Sequence, residues 1–371
     1  MTKYACLNPI ASVGLDRLGE GYVKVDDFAA ADVAFVRSAK MDEMTPPESL
    51  VAVARAGAGV NNIPHADYAK KGIVVFNTPG ANANGVKELV IAAMLLASRD
   101  ITGGIGWVRD NASDPAIAKS AEKAKKAFAG TEIMGKTLGV IGLGAIGQKV
   151  ANAAIALGMK VVGYDPFISV KAAWNISPEA TLVTKLEDLY AVSDFVTIHV
   201  PALDSTKGMV NAAAIAQMKK GVIVVNCARD VLVNDADMLA ALADGRVRKY
   251  VTDFPNANVA GKDGVIVIPH LGASTEEAED NCAVMAADEI RDFIENGNIV
   301  NSVNYPAVSL GAKKARRVAV CHLATATLPL AGATECVTKA RGDVAYTLAE
   351  GPVDIEAIKA SEGVLKVREL A

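Results

Sequence analysis

Two side chains stand just past apolar runs and together offer the chemistry that a hydroxy acid needs. Arg229 follows Val222-Ile-Val-Val-Asn-Cys-Ala, and His270 follows Val265-Ile-Val-Ile-Pro. A guanidinium can grip a carboxylate through two parallel N–H bonds. An imidazole is the side chain best suited to exchange a proton near neutral pH. A cation for a carboxylate and an acid/base for a hydroxyl proton are what hydride transfer between a nicotinamide and a hydroxy acid requires. Each also has a plainer reading, an arginine in a surface ion pair or a histidine satisfied by local hydrogen bonds. The plainer reading is preferred for His65, His199 and His322 taken singly. His199 ends Asp194-Phe-Val-Thr-Ile-His-Val and precedes Pro201, so its loop is expected to line a cofactor rather than transfer a proton.

The cofactor is indicated by Leu138-Gly-Val-Ile-Gly-Leu-Gly-Ala-Ile-Gly147, which places three glycines as G-x-G-x-x-G between an apolar strand and a helix. Gly142 permits the tight turn, Gly144 lets the main chain approach a pyrophosphate, and Gly147 lets the helix pack closely on the sheet. The anion would sit on that helix's N-terminus. A second apolar strand, Lys160-Val-Val-Gly-Tyr, ends in Asp165, 18 residues after Gly147. A carboxylate there accepts hydrogen bonds from an adenosine ribose and repels a 2′-phosphate, which favours NAD over NADP.

The elements that must position these groups follow from alternation of short apolar strands with alanine-rich helical patterns, which predicts α/β domains with doubly wound parallel sheets. The chain has 371 residues, enough for two or three domains. Tyr4–Leu7, Val33–Arg37, Leu50–Ala54 and Ile73–Phe76 read as strands of a first unit. Helical patterns over Gly85–Arg99 and Glu276–Glu295 carry the chain into and out of a cofactor domain with strands near Gly139, Val161, Phe195, Val222, Tyr250 and Val265. The expected domains are a discontinuous substrate domain (1–95 and 281–306), a Rossmann NAD domain (96–280) and a small α+β ferredoxin-like unit (317–371), with a cleft between the first two lobes. A basic linker, Lys313-Lys-Ala-Arg-Arg317, leads to the last unit. That unit reads as four strands and a helix over Asp354–Ser361.

The net charge of −4 gives no global attraction to nucleic acid or an anionic membrane. The apolar run Leu89–Ala97 is too short to span a bilayer, and no signal peptide is evident, so a cytoplasmic protein is expected. Five scattered cysteines without C-x-x-C pairs read as reduced core residues, and no metal site is expected.

Six segments resemble motifs of the D-2-hydroxyacid dehydrogenases, in family order: Arg55–Ile63, Asn77–Gly80, Val86–Leu89, Val140–Gly147, Asn226–Arg229 and Pro269–Thr275. Within the family the resemblance is closest to the phosphoglycerate dehydrogenase branch. It implies that Arg229 binds and polarises the substrate carboxylate and keto group, that His270 is the acid/base, and that the amides of Ala58 and Gly59 help hold the carboxylate. It also implies that Ala145, Ile146, Asp165, Pro201, Ala228, Asp253, His270 and Gly272 contact NAD. The reaction implied is NAD-dependent oxidation of 3-phospho-D-glycerate to 3-phosphooxypyruvate, the first step of serine biosynthesis, in a homodimer or homotetramer. Arg37 and Arg55, at strand ends of the first unit, are candidate phosphate partners. Two other readings stand beside it: a dehydrogenase or reductase for glyoxylate, hydroxypyruvate or D-lactate, and a non-catalytic NADH-sensing protein.

Three departures from the family pattern bear on mechanism. No glutamate follows Asp253 to pair with the histidine, since Ala257 or Asn258 falls at that place. Either another carboxylate reaches His270 or the histidine works without a charged partner. Asp230 beside Arg229 brings a carboxylate close to the anion-binding cation. The C-terminal unit resembles an ACT domain, but only Leu323–Gly332 separates its first two strands, too little for the usual first helix.

Overall fold

A computed structural model describes residues 1–370. Two compact units form: one comprises Met1–Asn82 together with the chain from Glu276 onward, the other Ala83–Thr275. The whole helix Ala83–Ser98 therefore belongs to the second unit, and residue 95 is not a boundary.

The first unit begins with β1 (Thr2–Cys6), β2 (Tyr22–Lys24), β3 (Val33–Val36), β4 (Ala52–Arg55) and β5 (Val74–Asn77). They form a parallel sheet in the order β2-β1-β3-β4-β5. Val33-Ala-Phe-Val is buried at every position, as expected for a strand covered on both faces. The edge strand β2 is half exposed and lacks such a run, so it escapes a sequence reading.

The second unit contains β6 (Thr137–Ile141), β7 (Lys160–Tyr164), β8 (Thr181–Leu182), β9 (Phe195–Ile198), β10 (Val222–Asn226), β11 (Val247–Thr252) and β12 (Val265–Val267). Their order, β12-β11-β10-β9-β6-β7-β8, is the doubly wound dinucleotide-binding order, reversing between β6 and β9. In such sheets ligands bind outside the carboxyl ends of the strands, at that reversal.

The helix Glu276–Asn296 returns to the first unit. It buries Ala278, Cys282, Ala286, Ile290 and Phe293 along one stripe and ends at Gly297, whose φ of 75° suits a glycine C-cap. The remaining strands are β13 (Arg317–Leu323), β14 (Glu335–Arg341), β15 (Val344–Glu350) and β16 (Val364–Leu370). They form an antiparallel sheet in the order β14-β15-β13-β16, a ferredoxin-like order with a single helix, Ile355–Lys359. As the short Leu323–Gly332 connection implied, no helix forms between β13 and β14, and Leu328, Leu330 and Ala333 of the connection pack on that face instead.

Residues 317–371 read as a unit of their own, yet the contacts place this sheet within the first compact unit; Ala371 itself lies outside the described residues. Ala319, Cys321, Tyr346, Leu348 and Leu370 share one core with Phe35, Phe76 and Phe293. Arg317, which reads as the end of a basic linker, is fully buried. It pairs with Glu350 at 2.6 Å and donates to the Asn296 carbonyl at 2.7 Å.

Glu289 lies buried on the return helix. Asn301 donates to one of its carboxyl oxygens at 2.6 Å, and the other oxygen has no partner among the described residues. Burial pushes this carboxyl up from 4.5 to about 8. As pH rises from 4.5 the unfolded chain ionises first, so the stability conferred by the protonated form is lost progressively until the folded carboxyl titrates. Glu289→Gln is therefore expected to gain on the order of a few kcal/mol at pH 8 and little at pH 4.5. Urea unfolding at the two pH values checks this, and an equal difference at both would exclude a buried ionisation.

Candidate active site

The glycine loop has the backbone its sequence requires. Gly142 adopts φ 89°, and a Cβ there would lie 2.6 Å from the His199 carbonyl oxygen. A Cβ on Gly147 would come within 1.9 Å of the Gly142 carbonyl oxygen, so any larger residue breaks the turn. Gly144 faces open space, with nothing within 4 Å of a Cβ built there. Among the described residues no acceptor takes the amides of Gly144, Ala145 or Ile146. Asp165, at the end of β7, is pinned beside this loop: its carboxylate accepts from the Leu143 amide at 2.8 Å and the Phe167 amide at 2.9 Å. Each oxygen keeps a lone pair for a ribose hydroxyl. Open main chain, donating amides and an anchored carboxylate fit a dinucleotide.

The matching loop after β9 places His199 against Gly142. His199 Nε2 bonds the Thr197 hydroxyl at 3.0 Å, and Nδ1 is buried without a partner among the described residues. Burial pulls its pKa down to about 4, so it is neutral at pH 7 and cannot donate a proton there. Pro201 is exposed, and its carbonyl accepts from Thr206 at 2.7 Å.

Arg229, Asp253 and His270 leave the carboxyl ends of three neighbouring strands, since Asn226 of β10 pairs with Thr252 of β11, which pairs with Val267 of β12. The short parallel strands thus bring together residues far apart in sequence. Arg229 is half-buried, and its Nη1 donates to the Ala228 carbonyl at 2.6 Å. Asp253 is buried, and burial pushes its carboxyl above the usual range against the pull of the His270 and Arg229 charges. Among the described residues one Asp253 oxygen has no partner, and the other lies 3.3 Å from where a Cβ on Gly272 would sit.

His270 is exposed and is the non-glycine residue with positive φ, 44°, among those described. Its amide points to the carbonyls of Asp253 at 2.9 Å and Ile268 at 3.0 Å, which holds the backbone in this uncommon region. Backbone outliers of this kind cluster at active sites. The ring packs on Phe254, centroids 4.7 Å apart. Among the described residues no carboxylate hydrogen-bonds to the His270 ring, and Asp253 is the acid that feels its charge. Asn256 and Asn258, around the place of the expected glutamate, both donate to Asp235 at 3.1 Å. Asp230 accepts from the Val231 amide at 2.8 Å and lines a groove with Asn234, Asp235 and Asn258, rather than pairing with Arg229.

Residues 91–272 match the family model described as D-isomer specific 2-hydroxyacid dehydrogenase, NAD binding domain. The chain carries a D-2-hydroxyacid dehydrogenase NAD-binding domain. It is 38% identical over 296 residues to a D-3-phosphoglycerate dehydrogenase of Methanocaldococcus jannaschii, covering 76% of this chain and 54% of that protein. It is 36% identical over 274 residues to the Rattus norvegicus protein of the same name, covering 72% and 49%. The chain thus spans about half the length of these curated relatives. The NAD+-bound 3-phosphoglycerate dehydrogenase of Entamoeba histolytica superposes with a TM-score of 0.64 at 28% identity, over 82% of this chain and 98% of that one. A glyoxylate reductase from Paecilomyes thermophila superposes at 0.67 over 81% and 98%, at 22% identity, a likeness of fold alone.

Other predicted residues lie in the first unit. Ala58 and Gly59 follow β4, and among the described residues neither amide has an acceptor. Arg37 follows β3 and is ion-paired with Glu279 at 2.5 Å, while Arg55 donates to the Arg37 carbonyl at 3.1 Å. The sequence reading missed Glu279, because it sits in the acidic run Glu276-Glu-Ala-Glu-Asp, which looks like a solvated helix start. Phe254 was also missed, having no spacing signal of its own.

Proposed function

We propose that this protein oxidises 3-phospho-D-glycerate to 3-phosphooxypyruvate with NAD, releasing NADH and a proton. The observation that carries the dehydrogenase reading is the convergence of Arg229, Asp253 and His270 at the ends of β10, β11 and β12, in the unit that holds the glycine loop. NAD, when bound, supplies the hydride acceptor; Gly144, Ala145 and Ile146 would hold its pyrophosphate and Asp165 its ribose. Ala228, Gly272, His199 and Pro201 would complete the wall of that pocket. Arg229 holds the substrate carboxylate and polarises the keto group, assisted by the amides of Ala58 and Gly59. A ring nitrogen of His270 takes the hydroxyl proton in oxidation and returns it in reduction. Asp253 is buried, and its carboxyl feels the charges of both His270 and Arg229.

The phosphorylated substrate is supported by the names of the sequence relatives and by Arg37 and Arg55 at the carboxyl edge of the first sheet. An unphosphorylated 2-hydroxy acid is the second reading, favoured by the Arg37–Glu279 pair, which already neutralises one of the two arginines. Initial rates of NADH oxidation with phosphooxypyruvate, hydroxypyruvate and glyoxylate decide between them. We expect the highest kcat/KM with phosphooxypyruvate; preference for glyoxylate would transfer the assignment, and no turnover with any of the three would remove the enzymatic reading.

A further inference from the structure

The five-stranded sheet of the first unit reverses its order between β1 and β3. The loop after β1 carries Asn8, and the loop after β3 carries Arg37. The Asn8 side-chain oxygen accepts the amides of Arg37, Ser38 and Ala39, each at 2.9 Å, and so shapes the loop from which Arg37 projects. Arg37 then meets Glu279 in the first turn of the return helix. Arg55 lies alongside: its Nε donates to the Arg37 carbonyl, and its guanidinium covers Gly57, where a Cβ would fall 1.7 Å from Nη1. One turn along the helix, the Cys282 thiol feels the charges of both arginines and of Glu279.

Two cations and one carboxylate thus gather at the ligand-binding edge of an open α/β sheet. The side chains of Arg37 and Glu279 are 41% and 43% exposed, and an ion pair so open to water contributes little to stability. Its charge nevertheless acts on whatever anion approaches Arg37.

We propose that Glu279 is a specificity-determining residue that discriminates substrates by the charge of the group reaching Arg37. It acts as a built-in counter-ion: a doubly charged phosphate must displace it or bear its repulsion, whereas a neutral hydroxyl at the same place need not. The proposal rests on the dehydrogenase reading above, with the substrate's distal end at Arg37. Glu279→Gln keeps the length of the side chain and an acceptor for the guanidinium while removing the charge.

The test is calorimetric titration of 3-phospho-D-glycerate and D-glycerate onto the full chain, as wild type and Glu279→Gln, each with and without Arg37→Gln. Glu279→Gln should tighten 3-phospho-D-glycerate at least about fivefold, the factor for a single unit-charge pair at close range in water, which a doubly charged phosphate exceeds. D-glycerate should change by less than twofold, and the gain should shrink where Arg37→Gln is also present. Absence of a phosphate-dependent gain, or weaker binding of the phosphorylated acid, overturns the proposal. NADH turnover with phosphooxypyruvate on the same preparations reports separately on the enzyme. Turnover without any charge effect keeps the dehydrogenase and removes the counter-ion; tighter phosphate binding without turnover of any keto acid does the reverse.

Discussion

Replacing His270 with alanine is expected to slow NADH-dependent reduction of the keto acid by about 10²–10⁴-fold, the range for loss of a positioned general acid. NADH affinity should remain within about twofold, because the amides and carboxylate that fit the cofactor come from the β6 and β7 loops. Two of the other imidazoles are otherwise engaged. His199 is held neutral by burial, and His322 is enclosed in the C-terminal sheet between the Leu323 carbonyl and Thr347. Steady-state rates and fluorescence titration of NADH check both halves. Near-normal turnover in this variant would end the assignment of His270, and a parallel loss of NADH binding would mean that the loop, not the ring, had been damaged.

Arg229→Lys is expected to lower kcat/KM by at least about tenfold, equivalent to 1.4 kcal/mol. An ammonium preserves the charge but not the planar fork that meets both carboxylate oxygens. The Arg229 carbonyl is already taken by the Asn226 side chain at 2.8 Å, so the backbone at this turn is fixed independently of the side chain. The lysine variant should therefore fold as the wild type does, and unchanged catalytic efficiency would exclude a bidentate carboxylate contact.

The parts of this architecture that were legible in the sequence are those written in local patterns. The apolar tetrads of the parallel strands and the three glycines of the β6 turn reflect constraints that act within a few residues. Gly142 and Gly147 could be assigned their places because a Cβ at either meets a carbonyl oxygen a short distance away. What stayed hidden depends on pairing across the fold. The neutral state of His199, the positive φ of His270 and the hold of Glu279 on Arg37 are products of packing between segments distant in sequence. The burial of Arg317 is a sharper case, because a guanidinium after two lysines reads as solvated until Glu350 arrives from another strand to pair with it. The core that the last sheet shares with the first unit was hidden for a related reason. Alternate residues of β13 and β15 are apolar on both faces, and sequence alone does not say which face meets a helix of its own and which meets the return helix.

That shared core also imposes an order on synthesis. The NAD-binding unit is continuous from Ala83 to Thr275 and is complete once its last strand has cleared the ribosome. The first unit takes β1–β5 from the chain before the NAD-binding unit, yet it buries Leu370 beside Ala319 and Leu348 in the same core. Its early strands must therefore wait, part of their apolar surface uncovered, while almost three hundred further residues are made. Domains generally fold as units; here the strands that precede the NAD-binding unit are enclosed only once the chain that follows it has been made.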